Sequence, residues 1–223
     1  MHLFTILILS IISMVVPTEK KKTVLFFGDS ITELGVKEKG YISVLQEKLK
    51  AEGKEGAYEL VGSGIGGNKI YDLYFRHEKD VLAKNPDIVV IWIGVNDVWH
   101  KSTSGTGSDL HKFEPMYVDL IQKLVARGIQ VYCATPACIG EKTDFSNAQD
   151  GDLNEFSKAI RKIAKNNQAG LLDFRQLFLD YNLKHNPKNL PNGILTYDGV
   201  HLNDDGNVLV ADVVWKQVLF PLR

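Results

Sequence analysis

The sequence predicts an α/β protein, a five-stranded parallel sheet with helices on both faces, folded as a single domain. Three observations predict it. From Thr23 onward, short apolar runs alternate five times with longer amphipathic ones. The short runs, such as DIVVIWIG (87–94), are apolar throughout, as strands covered on both faces must be. The length of 223 residues suits one domain better than two, and 44% hydrophobic residues supply a full core.

TVLFF (23–27) is the first strand, stopped by Gly28. In YISVLQEKLKAEG (41–53), Tyr41, Val44, Leu45 and Leu49 recur at helical spacing, and Gly53 closes the helix. YELVG (58–62) is the second strand, and IYDLYFRHEKDVLAKN (70–85) reads as a helix halted before Pro86. DIVVIWIG is the third strand, followed by a helix around FEPMYVDLIQKLVARG (113–128). GIQVYCATP (128–136) is the fourth strand, LNEFSKAIRKIAKNNQ (153–168) a helix and GLLDF (170–174) a fifth strand. The segment around His185 (NLKHNPKNLPNG) reads as an irregular loop at the site edge, and a last helix spans roughly Asp205 to Val218. Right-handed crossovers then bring all strand C-termini to one edge, where open sheets of this kind bind ligands.

Leu3 to Val16 is nearly all apolar, the length of a signal-peptide core and short of the roughly 20 residues of a membrane span. It lacks a basic flank before it and an A-x-A-like cleavage site after it, so an extra apolar element of the domain is the alternative. The division expected is residues 1–18 as a signal or apolar segment and 19–223 as the domain, with a secreted or periplasmic location and no stable membrane insertion of the mature part. A net charge of −1, with Lys20, Lys21 and Lys22 the one basic run, offers no nucleic-acid footprint and points to a small, nearly neutral partner. Cys133 and Cys138 are too few for a disulfide scaffold, and without a C-x-x-C or His/Cys cluster no metal site is expected.

Four blocks carry chemistry. Gly28-Asp29-Ser30 follows the first strand, where a sharp turn exposes a serine beside unpaired backbone N–H groups. The same triplet is also good capping chemistry. Gly62-Ser63-Gly64-Ile65-Gly66-Gly67-Asn68 follows the second strand and is a poor dinucleotide fingerprint, because no clear acidic partner follows. Gly94-Val95-Asn96-Asp97 ends the third strand, and the Asn96 amide can donate to a developing oxyanion, although Asn-Asp is ordinary loop chemistry too. In Asp198-Gly199-Val200-His201, a carboxylate three residues before an imidazole can hold Nδ1–H and leave Nε2 as a base. Alone, that pair is equally a surface turn or half of a metal site.

In combination and order, the four blocks resemble the SGNH (GDSL-type) hydrolase family from Thr23 to the final helix. The resemblance implies a three-layer α/β/α, flavodoxin-like fold and an ester hydrolase needing no cofactor. It assigns Ser30 as nucleophile, Asp198 and His201 as its partners, and Ser30, Gly67 and Asn96 as oxyanion donors. Two positions depart from the common pattern: Gly62 stands for the usual Asn and Lys69 for the usual Thr, which touches loop support and the pocket wall. Asp29, Trp99, His100 and Tyr197 are expected around the pocket, with His77, His100, His111 and His185 as rival bases. Short-chain acyl esters are the first expectation for substrate. Carbohydrate O-acetyl esters, lysophospholipids and thioesters are the alternatives within the family, and a non-catalytic small-ligand module is the alternative outside it.

Overall fold

The computed structural model describes residues 20–221, so the apolar Leu3–Val16 run lies outside the described residues. Five strands, β1 (Lys22–Gly28), β2 (Tyr58–Gly64), β3 (Ile88–Trp92), β4 (Gln130–Ala134) and β5 (Gly170–Leu172), form one sheet. All neighbouring pairs are parallel, in the order β2-β1-β3-β4-β5. This is a flavodoxin-like order, and the direction in which successive strands are added reverses at the β1/β3 junction.

Alternate residues of each central strand feed opposite layers. Val24 and Phe26 of β1 and Val90 and Trp92 of β3 pack against α2 (Tyr41–Ala51), α7 (Phe174–His185) and α8 (Asp204–Val214). Leu25, Phe27, Val89 and Ile91 face the other way, onto α3 (Ile70–Asp80), α5 (Leu110–Val125) and α6 (Asp150–Asn166). The expected three layers are therefore present, each face of the sheet with its own core.

Three helices were not expected. The short α1 (Ser30–Gly35) leaves β1 directly, and α4 (Val95–Thr103) turns the GVND block and Trp99-His100 from loop into helix. The third, α7, ends at His185, so the irregular segment begins only at Asn186; His185 stacks on Tyr181, ring centroids 4.2 Å apart. The strand expected to run to Phe174 stops at Leu172, because Asp173 caps α7 by accepting from Gln176 N. Elsewhere the differences are at element ends: α3 stops at Asp80, with a separate 3₁₀ turn over Leu82–Lys84, and α8 passes into a π-helical turn over Trp215–Leu219. Among the described residues, no helix is long and apolar enough to cross a membrane. Cys133 and Cys138 are both free and buried.

Candidate active site

The C-terminal ends of β1, β2 and β3 deliver three of the four blocks to one edge, and the loop before α8 brings the fourth. Ser30 opens α1. The turn into it is tight: a side chain on Gly28 would place Cβ 2.5 Å from both the Thr32 hydroxyl and the Trp92 carbonyl. Asp29 caps the helix, its Oδ1 accepting from Ile31 N at 3.0 Å. The capping task in G-D-S thus falls to Asp29 and not to the Ser30 hydroxyl.

Ser30 Oγ lies 2.9 Å from His201 Nε2, and His201 Nδ1 lies 2.7 Å from Asp198 Oδ2. The second carboxylate oxygen of Asp198 accepts from Val200 N at 2.9 Å and His201 N at 2.8 Å, which closes the D-x-x-H turn on itself. Partial burial pushes the Asp198 carboxyl up, but the His201 ring and these N–H groups outweigh it and hold the carboxyl below its usual range. Hydroxyl, imidazole and carboxylate stand in line. Such a line can remove the serine proton, with the carboxylate fixing the imidazole tautomer.

Across the crevice, Gly67 adopts φ +74°, a left-handed turn that suits glycine, in the loop between β2 and α3. Asn96, 2% exposed, lies in the first turn of α4 and donates one Nδ2–H to Asn68 O at 3.1 Å. Its second Nδ2–H is left for another acceptor. Lys69, where a Thr is usual, is buried, and its Nζ donates to Gly67 O at 2.9 Å, fixing the loop from within.

The four residues expected around the pocket separate. Tyr197 lies flat on the His201 ring, centroids 5.6 Å apart with 13° between planes, and Trp99 meets the same ring edge-on at 6.1 Å. His100 borders the Gly67 turn, where an added Cβ would sit 3.7 Å from its Cε1; burial and then Lys69 lower its pKa. Asp29 is different: at 2% exposed it is buried beneath the turn. Of the rival bases, His77 is buried on α3 with Nδ1 on Tyr74 O, and His185 packs on Tyr181. Among the described residues, no group of three His, Cys, Asp or Glu side chains converges to hold a metal ion.

Sequence reasoning missed the supports. Arg76, mostly buried on α3, donates to Gly28 O (2.7 Å), Ser63 O (3.0 Å) and Asn68 Oδ1 (2.8 Å), and pairs with Asp80 at 3.0 Å. One guanidinium thereby ties the ends of β1 and β2 to the Gly67 loop. Asp97, fully buried, accepts from Ile70 N and holds the start of α3. Glu141, 1% exposed, accepts from Ile194 N, Leu195 N and Thr196 N at 2.6–3.0 Å and so fixes the approach to Asp198. Burial raises the carboxyls of Asp29 to about 7 and Asp97 to about 6, and each of these two sits under a helix start at the crevice.

Fold and crevice together define an SGNH-type hydrolase. The chain belongs to the GDSL-like lipase/acylhydrolase family, whose pattern matches residues 26–209. A solved acetyl xylan esterase, AlAXEase, is similar with a TM-score of 0.87 and 60% identity, covering 88% of this chain and 99% of its own. The acetylxylan esterase of Geobacillus stearothermophilus is 28% identical over 216 residues, 88% of this chain and 93% of the relative. Structures of that bacterium's Axe2 share the fold at a TM-score of 0.78 and 24% identity, covering 92% of this chain and 98% of theirs. Variants of Axe2 that replace one serine, one aspartate or one histidine by alanine are described as catalytic mutants. The protein is a carboxylic ester hydrolase.

Proposed function

We propose that the protein is a carbohydrate O-acetylesterase working through an acyl-enzyme on Ser30. The observation that carries this reading is the Ser30–His201–Asp198 line, with contacts of 2.9 and 2.7 Å. His201 Nε2 takes the Ser30 proton as Oγ bonds to the ester carbonyl carbon. The carbonyl oxygen, now an anion, is held by the N–H groups of Ser30 and Gly67 and by the free Nδ2–H of Asn96. The carbon–oxygen bond to the sugar then breaks, and His201 returns the proton to the departing hydroxyl. Water repeats the sequence and releases acetate.

The sequence alone ranked simple short-chain esters ahead of acetylated sugars. The activity named for the relatives supports reversing that order, and an acetyl group is the shortest acyl chain of the series. The apolar N-terminal run fits export, which would bring such an enzyme to a polysaccharide outside the cell.

A chromogenic acetate assay, with and without a serine-reactive phosphonate, tests the mechanism. The expected outcome is covalent labelling of Ser30 and loss of turnover in Ser30→Ala with an unchanged melting temperature. Labelling at a different serine, or turnover surviving in Ser30→Ala, would remove these roles. An acyl series from acetyl to long-chain esters, run beside acetylated xylo-oligosaccharides, tests the substrate.

A further inference from the structure

The crevice has a direction. In acyl transfer the carbonyl oxygen must face the Gly67/Asn96 side, and the departing hydroxyl must face the imidazole that protonates it. The leaving group therefore passes beside the His201 ring, one face of which carries Tyr197. Tyr197 is 58% exposed, with one ring face packed on His201. It also lines a cleft of about 540 Å³ between the end of α1, the α1–α2 connection and the start of α8. That volume falls within the roughly 300–1,000 Å³ of small-molecule sites. Leu34, on the cleft wall, lies four residues along α1 from Ser30, an axial distance of about 6 Å at 1.5 Å per residue.

The lining selects the ligand. Leu34, Leu202 and the Tyr197 ring provide apolar patches, whereas Lys37, Glu38, Lys39, Asp204 and Asp205 surround them with charge. Two lysines stand against three carboxylates, and Lys39 is already paired with Asp204 at 2.6 Å. A phosphate-bearing headgroup meets a net negative rim here. A neutral ring with C–H faces and equatorial hydroxyls meets what it requires: an aromatic plane, apolar walls and exposed polar groups free to accept and donate.

We propose that this cleft, beside Tyr197 and between α1 and α8, is a glycosyl subsite that holds the sugar chain bearing the acetyl group. The inference rests on the carbohydrate reading of the site and adds where the leaving group binds. It makes the cleft a determinant of sugar recognition separate from the chemistry of the acyl transfer.

The test compares wild type with Leu34→Trp, which fills the cleft, and Glu38→Ala, which removes an exposed polar contact. Substrates are acetylated xylo-oligosaccharide, chromogenic acetate and a lysophospholipid. For Leu34→Trp, kcat/KM on the oligosaccharide should fall at least tenfold while that on chromogenic acetate stays within twofold; Glu38→Ala should show a smaller loss of the same selectivity. Retained turnover of chromogenic acetate controls for folding. Deacetylated xylo-oligosaccharide should also inhibit wild-type turnover of chromogenic acetate competitively, and this inhibition should weaken in Leu34→Trp. If wild type deacetylates the oligosaccharide but neither variant changes the ratio of the two activities, the subsite is wrong and the function stands. If wild type hydrolyses chromogenic acetate but no acetylated sugar, the carbohydrate reading itself fails. Loss confined to the lysophospholipid would overturn the subsite in favour of a lipid headgroup.

Discussion

Asp29 belongs to the G-D-S block, directly before Ser30, yet it is buried, caps α1 and is repelled by Asp97. Its carboxyl titrates at about 7 in the folded protein because burial disfavours the charge, whereas an unfolded chain releases the proton near ~3.9. Between those values the folded state binds the extra proton, so this group's contribution is fully present in acid and is lost as pH rises towards 7. Asp97, at about 6, adds a loss of the same sign, and Asp198, held low, adds one of opposite sign confined to acid. Asp29→Asn keeps an oxygen to cap Ile31 N and removes the charge. Its melting temperature should therefore gain on wild type as pH is raised from 5 to 8; a constant difference across that range would refute the assignment. Ser30, Asp198, His201, Gly67 and Asn96 were legible because each belongs to a short block with its own local chemistry. Asp29 as a buried acid was not, because burial leaves no spacing to read, and Arg76 and Glu141 were not, because most of their partners lie far away in the chain.

Helix starts do much of the assembly. The first turns of α1 and α4 and the loop entering α3 meet at the strand ends, so unpaired N–H groups and the positive ends of α3 and α4 favour negative charge there. Periodicity found α3 but not α1 or α4. The first has six residues, too few to show a period, and α4 buries Asn96 and Asp97 together with Val95 and Val98. The α7 helix shows no clear apolar stripe, because it buries Arg175 and Asn182 together with Phe174 and Phe178. What holds the α3 entrance to β1 is Arg76. In Arg76→Lys the charge and the Asp80 contact remain available, but one ammonium cannot replace three separately directed N–H contacts to Gly28 O, Ser63 O and Asn68 Oδ1. We expect kcat on chromogenic acetate to fall by roughly 10²-fold with KM little changed, as for a displaced reacting group. A double-mutant cycle with Asn68→Ala separates this from general damage: the two losses should be less than additive. Full additivity would mean that Arg76 does not act through the Gly67 loop.

The whole sheet was readable because continuous apolar strands leave few arrangements open once right-handed crossovers are imposed. Strand ends were less so, since caps such as Asp173 and not hydrophobicity decide where a strand stops. The order β2-β1-β3-β4-β5 puts Ser30 and Asn96 on either side of the junction where the strand order reverses, so the crevice is a property of topology. All five strands are complete by Leu172, yet Asp198 and His201 come later. Ser30 and His201 are 171 positions apart in the chain. Closing so long a loop is entropically late work, and contacts of this separation slow the search for the native state. Recovery of esterase turnover after dilution from denaturant should therefore trail recovery of the far-ultraviolet dichroism signal by several-fold in half-time; simultaneous recovery would show that the last loop docks with the sheet. During synthesis, the same geometry leaves the Ser30 hydroxyl without the His201 ring until after all five strands have been made.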